Sequence, residues 1–157
     1  MSRKSATMPE LDEISWQIIE QLQEDGRRSY GAIAKVVGLS EAAVRQRVQR
    51  MTETGVMKIV AVADPMRVGG RRQAMVGVKV SGTLEPVAAA LSEMPESVYV
   101  VVCAGTYDIL CEVVCEDDAH LVEVLSTRIR SIPGVASTDT FVYLELRKES
   151  YQWRAQG

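Results

Sequence analysis

The chain is poor in the residues that carry out covalent chemistry. Among its 157 residues there is one histidine, His120, so no histidine cluster can hold a metal or relay protons. The three cysteines, Cys103, Cys111 and Cys115, are odd in number and lack framework spacing. That excludes a disulfide scaffold and fits a reducing compartment, the cytoplasm. Their spacing is too open for a metal site without histidine partners, so they read as buried apolar side chains. No phosphate-binding P-loop and no glycine-rich dinucleotide fingerprint follows a strand. No nucleophile with an activating base is evident. No apolar run approaches the roughly 18–20 residues of a membrane helix. The start, MSRKSATMPELDE, has no apolar core behind its basic residues and so is not a secretory signal. Neither a membrane nor a cofactor is expected as a partner.

Globular composition is present: 46% hydrophobic and 25% charged residues, enough for one medium domain or two small ones. The net charge of −3 argues at first against a polyanionic partner. Counted by segment, the inference reverses. Residues 10–25 carry six acidic side chains and no lysine or arginine; residues 26–60 carry seven basic side chains against two acidic ones. A local basic patch is what phosphate neutralisation needs, whatever the global charge. A solvated arginine-rich helix face would look the same by charge alone.

Periodicity separates these readings. Leu11, Ile14, Ile18 and Leu22, widened by Ile19, predict a first helix ending at Asp25-Gly26. Ser29 caps a short second helix with Ile33, Ala34, Val36 and Val37. Gly38-Leu39-Ser40 is a tight turn, and Ser40 caps a third helix closed by Gly55. This is the helix-turn-helix pattern. On the third helix Val44, Val48 and Met51 fall within about 60° at ~100° per residue, forming the buried stripe. The opposite face carries Glu41, Ala42, Arg45, Gln46, Gln49 and Arg50. Arginine and glutamine suit bidentate contact with guanine and adenine, and the N-terminal end of this helix is the part that reaches base edges. Arg27, Arg28 and Ser29 are expected to hold phosphates, and Tyr30 and Ser40 to belong to the same DNA-binding surface. The β-branched run Val56–Ala63, stopped at Asp64-Pro65, predicts a wing strand in which Lys58 touches phosphate.

Beyond a linker at 64–72 the elements alternate. The order is strand 73–80, helix 84–94, strands 98–104 and 107–115, a helix with Leu121, Val122, Leu125 and Ile129, and strand 138–146. The order βαββαβ predicts a ferredoxin-like sheet with two helices on one face. The strand at 98–104 is apolar on both faces: Val98, Val100 and Val102 on one side, Tyr99, Val101 and Cys103 on the other. It needs cover on both. A second copy of the chain, packed sheet against sheet, is the expected cover. In the last strand Val142, Leu144 and Leu146 fit the helix-covered face, with Phe141 and Tyr143 opposite.

These residues resemble the Lrp/AsnC (feast/famine) transcriptional regulators. The resemblance rests on Asp25-Gly26-Arg27, Ile33-Ala34, Gly38-Leu39-Ser40, Val44, Arg47-Val48 and Gly55-Val56. Downstream it rests on Asp64-Pro65, Gly69, Gly105-Thr106-Tyr107-Asp108, Pro133-Gly134-Val135, Thr138 and Thr140. It covers residues 9–148. Ser15, Met51 and Met57 depart from the usual aspartate, leucine and isoleucine in core-compatible ways.

The resemblance implies an α+β protein. A winged helix-turn-helix at 1–63 binds double-stranded DNA, and 73–157 is an effector and oligomerisation domain with a tail carrying Tyr151 and Trp153. It implies a homodimer assembling to an octamer, and a small-molecule effector, usually an amino acid, between neighbouring effector domains. Gly105, Thr106, Tyr107 and Asp108 would edge that pocket, with Phe141, Val142 and Tyr143 nearby. Gly105 lets backbone amides approach a carboxylate, and Asp108 can accept from an ammonium. A plain turn capped by Asp108 explains the same residues. A rival reading is a tetrapyrrole decarboxylase on the same two-domain plan, which the single histidine disfavours; another is an interaction module, which the cationic third helix disfavours.

Overall fold

A computed structural model describes residues 11–65, 67–69 and 71–150. The first ten residues, Met66 and Gly70 of the expected linker, and Tyr151 and Trp153 of the tail lie outside the described residues. Two compact units divide the chain. One runs to Ala61, and the other spans Val62–Arg147. The described residues from Lys148 onward cluster with the first unit. The last strand has already ended by then.

Three helices build the first unit: α1 (Glu13–Glu24), α2 (Tyr30–Val37) and α3 (Glu41–Glu53). Each begins at a side-chain cap that satisfies an otherwise orphan amide. Asp12 accepts from the Ser15 amide at 2.9 Å, Ser29 from Ala32 at 3.2 Å, and Ser40 from Ala43 at 3.2 Å. Gly38, with φ of 72°, closes α2 in the left-handed region where a side chain would strain the backbone. This permits the abrupt turn into α3. Ile18, Leu22, Ile33, Val44, Val48 and Met51 meet in one core. Each fully buried aliphatic chain contributes about 1.5–3 kcal/mol, which fixes α3 with its opposite face outward.

The expected wing strand does not form. Residues 56–63 belong to no strand, and Ile59, Val60 and Val62 are exposed. β-branched composition favours an extended chain, but a strand needs a hydrogen-bonding neighbour. Among the described residues the first unit contains no other strand.

The second unit is a four-stranded antiparallel sheet in the order β2-β3-β1-β4. Its strands are β1 (Arg72–Val80), β2 (Ser97–Val102), β3 (Ile109–Cys115) and β4 (Val135–Val142). Helix α4 (Leu84–Ser92) joins β1 to β2. Helix α5 (Asp118–Glu123) runs on as a π-helical stretch, Val124–Ile129. Ala74, Val76 and Val78 of β1 and Ile109, Cys111, Val113 and Cys115 of β3 alternate inward beneath Val87, Leu91, Leu121, Val124 and Ile129. The π-wound turns alter the expected helix face. Val124 and Ile129, five residues apart, stack inward as an i→i+5 winding requires, whereas Val122 is exposed.

Both edge strands also depart from simple alternation. A register shift between Ser97 and Tyr99 turns Val98 outward, so Val100 packs on the core while Val98 and Val102 are exposed. Strand β4 begins and ends earlier than expected. Tyr143 donates to the Gln73 carbonyl at 2.9 Å, but β1 begins at Arg72, so no ladder remains for Leu144 and Leu146. Leu144 is 89% exposed, not covered by a helix.

Candidate functional site

In the first unit Val44, Val48 and Met51 bury one face of α3, leaving Glu41, Ala42, Arg45, Gln46, Gln49 and Arg50 exposed on the other. These expected DNA-contact side chains therefore share one accessible surface. Arg45 is held in place. Its Nη2 donates to Glu41 Oε1 at 2.8 Å, and its guanidinium lies 5.2 Å from the centre of the Tyr30 ring. Gln49 donates to Glu53 at 2.8 Å. Arg27, Ser29, Ser40 and Lys58 are exposed. Arg28 is half-buried and engaged by Glu24 at 3.0 Å and Gln21 at 2.5 Å.

Arg47 plays a different part from its cationic neighbours. Its Nη1 donates to both oxygens of Asp12, at 2.9 and 2.7 Å, and to the buried Ser15 hydroxyl at 3.0 Å. It pins the start of α1 to α3. Hydrogen bonds from Ser15 and then Arg47 lower the Asp12 carboxyl to about 2. Sequence spacing gave no sign of this pair, because its members are 35 residues apart.

In the second unit Gly105 has φ of 149° at the tip of the turn between β2 and β3. Asp108 spans the base of that turn. Its amide donates to the Val78 carbonyl at 3.0 Å, its carbonyl accepts from Cys103 at 2.9 Å, and its Oδ2 accepts from the Val80 amide at 2.8 Å. One carboxylate oxygen therefore supports the end of β1. Tyr107 lies flat on Gly77: a Cβ there would stand 2.7–2.8 Å from three ring atoms. The Tyr107 hydroxyl bonds to Asp139 of β4, and its ring meets Phe141 edge-on at 6.2 Å between centroids. Burial and then Asp139 raise the Tyr107 hydroxyl's pKa.

Beside this aromatic pair, Glu112 accepts from Gln73 at 2.8 Å and from the Tyr143 hydroxyl. Burial and then Glu112 push the Tyr143 phenol up to about 12. Tyr107, Phe141 and Tyr143 thus gather on the sheet face away from the helices. Val142 does not join them. It pairs with Ala74, whose side chain points to the helix-covered core. Gly77, Asp139, Glu112 and Gln73 were not anticipated. A glycine inside an apolar strand signals close approach by another group, and only Gly77 offered such a sign.

His120 is partnered too. It lies within α5, and its Nε2 is 3.3 Å from Glu96 Oε1, which Arg128 contacts at 2.5 Å. Burial alone would raise the Glu96 carboxyl; its own backbone amide, Arg128 and His120 outweigh burial and hold it below the usual range. Cys111 and Cys115 are buried on the helix face of β3, and Cys103 is half-buried just beyond β2. Among the described residues no cluster of histidine, cysteine and carboxylate groups could hold a metal ion, and no helix is long and apolar enough to cross a membrane.

Comparison with known proteins places both units. Residues 11–52 match the AsnC-type helix-turn-helix domain, and residues 73–153 match the Lrp/AsnC ligand binding domain. The HTH-type transcriptional regulator FL11 of Pyrococcus horikoshii is 37% identical, over 89% of this chain and 93% of that one. A proline dehydrogenase transcriptional activator of Rhizobium radiobacter is 34% identical, over 90% and 94%. The crystal structure of an AsnC family regulator from Agrobacterium tumefaciens superposes with a TM-score of 0.74 at 27% identity, covering 91% of this chain and 96% of that one. The family and these relatives are transcriptional regulators rather than enzymes, which removes the decarboxylase alternative. With a helix-turn-helix that presents a polar α3 and a ligand-binding domain built on a βαββαβ sheet, this chain belongs to the Lrp/AsnC family of transcriptional regulators.

Proposed function

We propose that the protein is a cytoplasmic, sequence-specific regulator whose α3 enters the major groove and whose DNA affinity is set by an amino acid or close relative. The carrying observation is the exposed set Ala42, Arg45, Gln46, Gln49 and Arg50 on a helix whose opposite face is buried. In this reading Arg45 and Gln46 read bases, with Glu41 and Ala42 beside them at the leading end. Arg27, Arg28, Ser29, Tyr30, Ser40 and Lys58 line the phosphates. Residues 1–63 form the DNA-binding domain, 64–72 the linker and 73–157 the effector domain.

The sheet face carrying Tyr99, Val101, Leu110 and Phe141 pairs with a second copy, and dimers assemble further, to octamers. The half-buried Val101 and Leu110 and the exposed Tyr99 and Phe141 support this, being too apolar to favour standing in water. The effector lies at the boundary between copies, against Gly105, Thr106, Tyr107 and Asp108. The Asp108 oxygen not used by Val80 accepts from the ammonium, and Phe141 and Tyr143 flank the site. The likeness to a proline dehydrogenase transcriptional activator supports an effector drawn from amino-acid metabolism. Selection from randomised duplexes, followed by binding measured across salt concentrations, tests the DNA reading. A motif with two half-sites about one helical turn apart supports it; salt-insensitive retention without any motif refutes it.

A further inference from the structure

Glu41 sits where an acidic side chain is least welcome, at the leading end of the helix expected to approach a polyanion. Its carboxylate is not diverted elsewhere. Oε1 accepts from Arg45 at 2.8 Å, and Oε2 lies 3.1 Å from where a Cβ would stand on Gly31 in α2. Both side chains remain more than half exposed, 56% for Glu41 and 62% for Arg45. Tyr30 supports the guanidinium from below at 5.2 Å. The result is a carboxylate and a guanidinium side by side, one turn apart on the exposed face, with restricted freedom.

In the major groove a carboxylate can be satisfied only by an amino group, N4 of cytosine or N6 of adenine; guanine and thymine present acceptors that repel it. The neighbouring guanidinium takes the opposite pattern, the paired acceptors O6 and N7 of guanine. A carboxylate and a guanidinium in contact therefore match the two halves of one G·C pair, cytosine to Glu41 and guanine to Arg45. Adenine would satisfy Glu41, but its partner thymine offers Arg45 a single acceptor beside a methyl group. We infer that Glu41 and Arg45 form one reading unit that specifies a G·C pair at a fixed position in each half-site, with Glu41 responsible for excluding thymine opposite. This rests on the proposal that α3 reads DNA, and it gives Glu41 a role beyond helix stabilisation. An exposed i,i+4 ion pair adds little to the stability of a helix, so truncating Glu41 leaves the fold intact.

The test uses the full chain, wild type and Glu41→Ala, in selection from randomised duplexes. Binding to the selected site is then measured with the cytosine replaced by thymine (opposite adenine) or by an analogue lacking the 4-amino group. The wild type should select an invariant G·C pair and lose about tenfold affinity for the analogue, the discrimination expected of one good base contact, and more for the T·A pair, which also denies Arg45 its guanine. Glu41→Ala should bind cytosine and the analogue lacking the 4-amino group equally and bind unrelated DNA more tightly than the wild type does, having lost a charge that repels phosphate. Absence of any motif in the wild type would overturn the DNA reading and this inference with it. A motif that Glu41→Ala reproduces unchanged, or a wild type indifferent to the 4-amino group, would overturn this inference alone.

Discussion

Gly77 leaves the space that the Tyr107 ring fills beside the expected effector turn, and replacing it tests whether the turn is locked to the sheet. In Gly77→Ala the new Cβ would meet three atoms of the Tyr107 ring at 2.7–2.8 Å, within van der Waals overlap. Strand backbone cannot yield easily between β3 and β4, so the ring must move. Overpacking of this kind costs about 1–3 kcal/mol. Displacing Tyr107 also breaks its edge contact with Phe141, worth about 0.5–1.5 kcal/mol. Replacing a glycine in an extended strand returns about 0.4–1 kcal/mol through the unfolded chain. The net expectation is a loss of about 0.5–4 kcal/mol from the sheet unit. Urea unfolding followed by far-ultraviolet circular dichroism would measure it in four proteins: wild type, Gly77→Ala, Tyr107→Ala and the double variant. Once Tyr107 is truncated the slot is empty, so adding Gly77→Ala should cost nothing or stabilise slightly. The coupling between the two substitutions should then equal or slightly exceed the whole single-variant cost of Gly77→Ala. If Gly77→Ala were as damaging without the ring as with it, the lock between Tyr107 and β1 would be refuted.

Other outcomes follow from the same geometry. Arg45→Ala should relax sequence preference at a cost of about 1–3 kcal/mol on the best site, whereas Lys58→Ala should weaken all sequences alike and flatten the salt dependence of binding; quantitative shift assays over a salt series distinguish them. Asp12 has its carboxyl lowered to about 2 from an ordinary 3.8. Its stabilisation of the helical unit is therefore present above the ordinary value and lost as pH falls from about 4 towards about 2, and Asp12→Asn should remove that dependence in acid titrations followed by circular dichroism. Asp108→Asn keeps an oxygen for the Val80 amide but removes the charge. It should leave the melting temperature near wild type while weakening amino-acid binding at least tenfold, as losing a charged partner implies; Asp108→Ala should lose stability as well.

Local signals made much of this fold legible. Ser29 and Ser40 are caps because their oxygens satisfy amides three residues on, and Gly38 stands where α2 must reverse; each depends on neighbours in sequence. The βαββαβ order was equally readable, because strand and helix periods differ and Pro133-Gly134 breaks them. What stayed hidden depends on partners distant in the chain. The strand expected at 56–63 failed because composition cannot supply a neighbour. Val122 and Val124 exchanged places because π-winding is set by packing, not by periodicity. Arg47 read as one more cation of a basic patch, since nothing in its surroundings announces Asp12. Of the turn proposed to hold the effector, sequence indicated Gly105 and Asp108, but not that Asp108 braces β1 or that Tyr107 fills the space left by Gly77.

Coupling between amino acid and operator tests the central claim most directly. An effector that alters DNA affinity must have its own affinity altered by DNA in the same ratio. Thermal-shift screening of the twenty amino acids would first identify the ligand, since a compound present at 100 times its Kd adds about 2.7 kcal/mol of stability. Calorimetric titration of that amino acid into the full chain, alone and saturated with selected operator, should then give two affinities differing by the factor by which the amino acid shifts operator binding. Equal affinities with and without operator, or no amino acid that binds at all, would contradict the account.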